Sequence, residues 1–145
     1  MAKLKLKDIA AIMKHIDICM LATTGPRGVL ESRPMSNNRD VEYNGNSYFF
    51  TDRKNAVVRE ITKDNNVNLS FIGHHSILNR TSVYLSVIGK AKLITDKEVM
   101  HKHWTKDLDL WFKNGIQTKG LTMIAVKAKT IRYWDGMNEG VIEAK

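Results

Sequence analysis

Val67-Asn-Leu-Ser-Phe-Ile72 alternates apolar and polar residues, and so does the longer run from Val83 to Ile94. In the longer run Val83, Leu85, Val87, Gly89, Ala91 and Leu93 share one face, with Tyr84, Ser86, Ile88, Lys90 and Lys92 on the other, the two-residue period of a strand. Ile18 to Thr23 is a short apolar run closed by Thr24-Gly-Pro-Arg-Gly28, a turn that predicts a hairpin with Val29 to Ser36. Asn44-Gly-Asn46 predicts a second hairpin, between Val41-Glu-Tyr43 and Ser47 to Thr51, because Asn-Gly readily supplies positive φ. The strand before Ser36 and the strand from Ser47 are expected to be antiparallel neighbours. Thr122 to Trp134 is the last long strand and ends at the turn Asp135-Gly136.

Helical spacing is confined to a few segments. Ile9, Ile12, Met13 and Ile16 recur at three- and four-residue intervals, so Lys5 to His15 is an amphipathic helix. A second runs from Asn55 to Lys63. A third starts at the capping box Thr95-Asp-Lys-Glu98 and continues to about Trp104, followed by a short helical or loop segment with Leu110-Trp-Phe112. Six strands joined mainly by turns, without regular strand-helix alternation, favour a closed or nearly closed antiparallel barrel. A small barrel fills its interior with side chains, so a large ligand must lie in an outer groove or between subunits.

Composition fits that picture and excludes others. The 145 residues are 43% apolar and 26% charged, as in an ordinary globular chain, and read as one domain, 1–145. No apolar run reaches the roughly 18 residues of a bilayer span, and Met1 to Lys7 lacks the apolar core of a secretory signal. A cytoplasmic location is the expectation, in keeping with a single cysteine, Cys19. The net charge of +8 comes from basic residues scattered along the chain, which describes a solvated surface; a nucleic-acid interface would rest on little more than Tyr84 beside Lys90 and Lys92.

The candidate chemistry lies where a strand ends in hydroxyl, basic and amide groups at a helix start. Ser47 to Thr51 runs into Asp52-Arg-Lys-Asn55, so Arg53, Lys54 and Asn55 add donors to a first turn whose backbone N–H groups already favour an anion. Arg33 joins them if the neighbouring strands pair. His74-His75 and His101 with His103 diverge at their spacings, which suits solvated or pocket-rim histidines and no metal site. No Ser-His-Asp order, carboxylate pair or Gly-rich nucleotide loop stands out, and Cys19 reads as a core residue.

Ser32-Arg-Pro-Met35, Tyr48-Phe-Phe-Thr-Asp52, Val58-Arg-Glu-Ile61, Tyr84-Leu-Ser-Val-Ile-Gly-Lys-Ala91, Trp111-Phe112 and Tyr133-Trp-Asp-Gly136, taken in order, resemble the pyridoxamine 5'-phosphate oxidase-like flavoproteins, in particular the general stress protein 26 branch. The resemblance implies a six-stranded split β-barrel that forms a homodimer and binds FMN, or in some relatives F420, between its subunits. It implies flavin contacts from Ser32, Arg33, Pro34 and Met35, with Arg33 reaching the phosphate and ribityl chain. It further implies contacts from Phe50 and Thr51, from Asn55 in place of a serine, and from Ser86 and Trp111 across the subunit boundary. The family's usual phosphate-binding lysine is replaced by Val57, a loss of about 1.5–3 kcal/mol unless Arg53 or Lys54 substitutes. The expected activity is oxidation or reduction of a small molecule, with flavin storage or redox sensing as the alternative. The catalytic groups stay unassigned, and pyridoxamine phosphate oxidation is not implied.

Overall fold

The computed structural model describes residues 3–37 and 42–144. Among these residues seven strands form one antiparallel sheet: β1 (Ile18–Thr24), β2 (Leu30–Ser36), β3 (Asn46–Asp52), β4 (Asn66–His74), β5 (Ser82–Ile94), β6 (Leu121–Asp135) and β7 (Asn138–Glu143). Three helices are inserted among them, α1 (Leu6–Met13), α2 (Ala56–Lys63) and α3 (Lys97–Lys102), with 3₁₀ turns at Pro26–Gly28, Lys106–Leu110 and Gly115–Gln117. The strand order is β2-β1-β4-β5-β6-β3, with β7 also on β6, and the sheet curls into the split barrel expected for the chain.

The inward faces supply the core. Leu21, Phe49, Leu69, Phe71, Val83, Leu85, Val87, Ile124, Val126 and Ile131 are buried, and Ile9, Ile12 and Met13 of α1 with Val57 and Ile61 of α2 close the ends. Burying a side chain of this kind contributes about 1.5–3 kcal/mol, which is why the alternation specifies each strand's register so strongly. Cys19 lies within this core, where burial pushes its thiol up to about 12, so it is no nucleophile at neutral pH.

Two devices shape the barrel. Between Ile88 and Gly89 the β5–β6 register shifts, Ile88 facing Thr130 and Gly89 facing Ala128. A Cβ at Gly89 would stand 2.5 Å from the Lys127 carbonyl oxygen, so this bulge requires glycine. At the same place the far edge of β6 changes partner: residues 121–127 pair with β3, and residues 130–135 pair with β7.

The strand from Ser47 therefore does not neighbour the strand before Ser36, contrary to expectation: β2 pairs with β1, and β3 pairs with β6 at the opposite end of the path. The reason is length, because the long β6 presents a complete ladder to Asn46–Asp52. The Asn44-Gly45 turn forms, with Gly45 at φ 102° and the Asn44 side-chain oxygen accepting from the Asn46 N–H, but Glu42 and Tyr43 are not in a strand. Val41, the start of that expected strand, lies outside the described residues. The third helix is capped one residue later than expected, by Asp96, whose carboxylate accepts from Glu98 and Val99. No helix among the described residues is long and apolar enough to cross a membrane.

Candidate functional site

The two ends of the sheet path, β2 and β3, face each other across the split in the barrel. Between them is a cleft of about 290 Å³. Pro34, Met35 and Ser36 of β2 form one side, joined by Ile18, and Tyr48 and Phe50 of β3 form the other. Proline suits this edge because position 34 needs no outward N–H to pair with another strand. The segment after α3 supplies the third side through His103, Leu108, Trp111 and Phe112.

That segment is held by a second, smaller core. Phe49 points into the main core, so its neighbours Tyr48 and Phe50 project the other way, toward Met100, Leu121 and Met123. Phe50 meets Trp104 edge-to-face at 5.0 Å, Trp104 meets Phe112 at 5.8 Å, and the Trp104 indole N–H donates to Asp109 at 3.0 Å. Tyr48 and His103 stack at 3.7 Å, giving the cleft a flat aromatic wall. Trp111 remains 72% exposed at the mouth.

Desolvation, with the charge of Lys102 adding to it, lowers the His103 pKa below its usual 6.5, so the ring in this wall is neutral at pH 7. A lowered histidine pKa contributes stability above 6.5 that is lost as pH falls through the folded-state value. A His103→Phe variant keeps the stack and is expected to lose less melting temperature than wild type between pH 7 and pH 5. Parallel pH–Tm curves for the two proteins would assign the titration to another group.

A second cluster lies under the adjoining part of β2. The Arg33 guanidinium donates to the Thr23 hydroxyl at 2.7 Å, to the Leu21 carbonyl at 3.2 Å and to Glu60 at 2.9 Å. The Thr23 hydroxyl in turn donates to Glu60 at 2.6 Å, closing a triangle in which Thr23 and Glu60 are buried. A hydrogen bond from the exposed Glu31, then that from Thr23 and the Arg33 pairing, hold the Glu60 carboxyl below the usual carboxylate range. The same Glu31–Glu60 hydrogen bond, with the Glu60 charge, raises Glu31.

Of the residues named from sequence, Pro34, Met35, Phe50 and Trp111 line the cleft together. Trp111 lines it from the same protomer. Ser32 is exposed on β2, opposite Ala22. Arg33 turns to Glu60 and away from the cleft lining. Thr51 is buried, and its hydroxyl accepts from the Asn55 side-chain amide at 2.8 Å at the start of α2. Arg53 and Lys54 are exposed on the same turn. Ser86 lies apart, on the outer face of β5, accepting from Asn68 at 2.9 Å. Sequence reasoning missed Glu60 and Thr23, although a carboxylate on the Val57/Ile61 face of α2 signals a buried partner. It also missed Tyr48 as a cleft wall. His103 is at the pocket rim, as its spacing suggested, while His75 pairs with Asp135 at 2.9 Å. Among the described residues no three His, Cys, Asp or Glu side chains gather as a metal site.

Comparison with known proteins bears on this geometry. A family profile described as "Pyridoxamine 5'-phosphate oxidase like" matches residues 5–144. The chain is 25% identical over 138 residues to Protein bli-3 of Neurospora crassa, an alignment spanning 89% of this chain and 64% of that relative, so it falls short of two thirds of the relative's length. Its structure is similar to that of General Stress Protein 26 from Bacillus anthracis, with a TM-score of 0.73 at 20% identity over 95% of this chain and 97% of that one. It is also similar to a heme binding protein from Mycobacterium smegmatis, with a TM-score of 0.76 at 12% identity over 99% of this chain and 60% of the other. At these identities the two structures establish the fold alone.

Proposed function

Since the chain belongs to the pyridoxamine 5'-phosphate oxidase-like family, we propose that it is a homodimeric flavin-binding oxidoreductase acting on a small organic molecule, with FMN as the family's form of the cofactor. The observation that carries this reading is the cleft between β2 and β3: a flat, largely apolar slot with an unpaired strand edge on one side and aromatic rings on the other. Its residues suit a planar heteroaromatic ring. Pro34 and Met35 would lie along the ring edge, Tyr48, Phe50 and His103 would contact its faces or rim, and Trp111 would cover it and exclude water. A bound flavin supplies hydride and electron transfer, and the protein supplies binding, orientation and the dielectric around the ring. His103, Tyr48 and Asp107 are the titratable groups that line the cleft, and the neutral imidazole of His103 can both give and accept a hydrogen bond.

The homodimer is supported by the outer face of the sheet. Ile72, Tyr84 and Trp134 stand in register across β4, β5 and β6, and Met20 and Ile88 are exposed on the same face, Met20 in the next row beside Ser70, Ser86 and Arg132 and Ile88 in the row beyond. An exposed apolar row of this kind on an uncovered sheet face suits an interface, and a second copy would bring Ser86 and Asn68 to the subunit boundary.

The test is the visible spectrum of the protein as isolated, with any released ligand identified by mass and reduced nicotinamide then offered with candidate acceptors. A flavin spectrum with turnover is the expected result. A flavin spectrum without turnover would favour a binding or redox-sensing role, a deazaflavin mass would replace FMN by F420, and absence of any flavin on reconstitution would overturn the reading.

A further inference from the structure

Arg33 is the cation that a flavin's terminal phosphate would be expected to find beside this cleft, yet its charge is already matched within the protomer. Nη1 is committed to Thr23 and Leu21, and Nη2 to Glu60 at 2.9 Å, with Glu31 at 3.8 Å. Magnitudes decide whether a phosphate could draw it away. A charge-assisted contact to phosphate is worth roughly ten- to a hundredfold in affinity. Leaving the Glu60 carboxylate, 8% exposed, and the buried Thr23 without the guanidinium costs more than about a hundredfold. Arg33 therefore stays with Glu60.

No other described side chain on this turn replaces it. Val57 is apolar and buried, and the Asn55 amide donates to Thr51. The basic residues on this turn, Arg53, Lys54 and Arg59, are exposed, with Arg59 donating to the Lys54 carbonyl at 2.7 Å. Exposed cations in water add no more than about fivefold. Glu31, two residues before Arg33 and exposed, presents a carboxyl that repels a dianion when ionised and accepts hydrogen bonds from hydroxyls in either state.

We propose that Glu60 is a specificity-determining residue which, by holding Arg33 inward, makes this site recognise the flavin ring and its hydroxylated chain while remaining nearly indifferent to the terminal phosphate. Arg33 and Met35 lie on one face of β2, roughly 7 Å apart along the strand, so a ring seated at Pro34 and Met35 would send its chain toward the Glu31–Arg33–Glu60 cluster. The inference rests on the flavin reading of the cleft and narrows it to a ligand class: ribityl flavins with or without phosphate.

The experiment is a pair of equilibrium titrations, riboflavin and FMN, followed by flavin fluorescence, on the wild-type protein and on Glu60→Gln. Wild type is expected to bind the two flavins within about tenfold of each other, and Glu60→Gln, which frees the guanidinium charge, is expected to raise the preference for FMN by about tenfold or more. A wild-type preference for FMN beyond about tenfold overturns the inference, as does an unchanged ratio in Glu60→Gln. If the variant does not fold, the wild-type ratio decides alone. Binding of FMN without riboflavin defeats this inference and leaves the flavin reading standing, whereas binding of neither defeats both.

Discussion

An Arg33→Met variant is expected to be about 3 kcal/mol less stable than wild type in chemical denaturation at neutral pH, because it leaves Glu60 ionised, buried and without its guanidinium. The lower end of the usual 3–5 kcal/mol range applies because the Arg33 side chain keeps 22% of its exposure. The double variant Arg33→Met/Glu60→Leu is expected to recover most of the loss, since replacing both partners of a buried pair by apolar groups removes the unmatched charge. The defect should also shrink in acid. Glu60 has a lowered pKa, so the stability it contributes is present above 4.5 and lost as pH falls through its folded-state value, where wild type and variant converge. Glu31 runs the other way: its pKa is raised, so its contribution is complete below 4.5 and lost as pH rises through the raised value. A change of less than about 1 kcal/mol in Arg33→Met would show that the triangle is a surface ion pair in energetic terms.

The second large effect concerns the outer face. Ile72 and Tyr84 sit opposite each other on β4 and β5, 67% and 48% exposed, beside Trp134. Replacing both by glutamate places two like charges in the middle of the apolar row, which costs little in an isolated protomer and a great deal across a two-fold interface, where each charge is duplicated and desolvated. Ile72→Glu/Tyr84→Glu is expected to sediment as a monomer at concentrations where wild type is a dimer, with unchanged far-ultraviolet dichroism. A monomeric wild type, or a variant that still dimerises, would place the subunit boundary elsewhere.

Much of this arrangement was legible in the sequence. The period-two runs of β4, β5 and β6 and the Gly-Pro-Arg-Gly turn before β2 announce themselves locally, because one-sided burial leaves an alternation and tight turns demand particular residues. The β1–β2 hairpin announced by that turn forms as expected, and what was not legible is where β3 goes. Nothing in Asn46–Asp52 says that this strand leaves β2 and crosses to β6, a choice that the length of β6 allows. β7 escaped notice for a related reason: Asn138–Glu143 is short and largely exposed, and its place depends on the free half of the β6 edge.

The site divides along the same line. Pro34, Met35, Phe50 and Trp111 were legible as cleft residues through the family pattern, and they converge although they come from three distant segments. Arg33 was legible as a special residue, a cation inside a strand, but its partner was not, because the contact with Glu60 spans 27 residues and depends on how α2 seats against β1. Of the positions expected to hold a phosphate, Arg53 and Lys54 are exposed, while Asn55 bonds to Thr51 and Arg33 to Glu60. Local chemistry names donors, and only the fold tells which of them are already engaged.

On the reading proposed above, the gap between β2 and β3 holds the flat ring of a flavin. The most direct measurement is a crystal structure of the protein grown with FMN. The tricyclic ring is expected against Pro34 and Met35, walled by Phe50 and the Tyr48–His103 stack and covered by Trp111, with the Arg33–Glu60 pair intact. A ring bound elsewhere on the surface, or a cleft filled by its own side chains with no ring density, would contradict it.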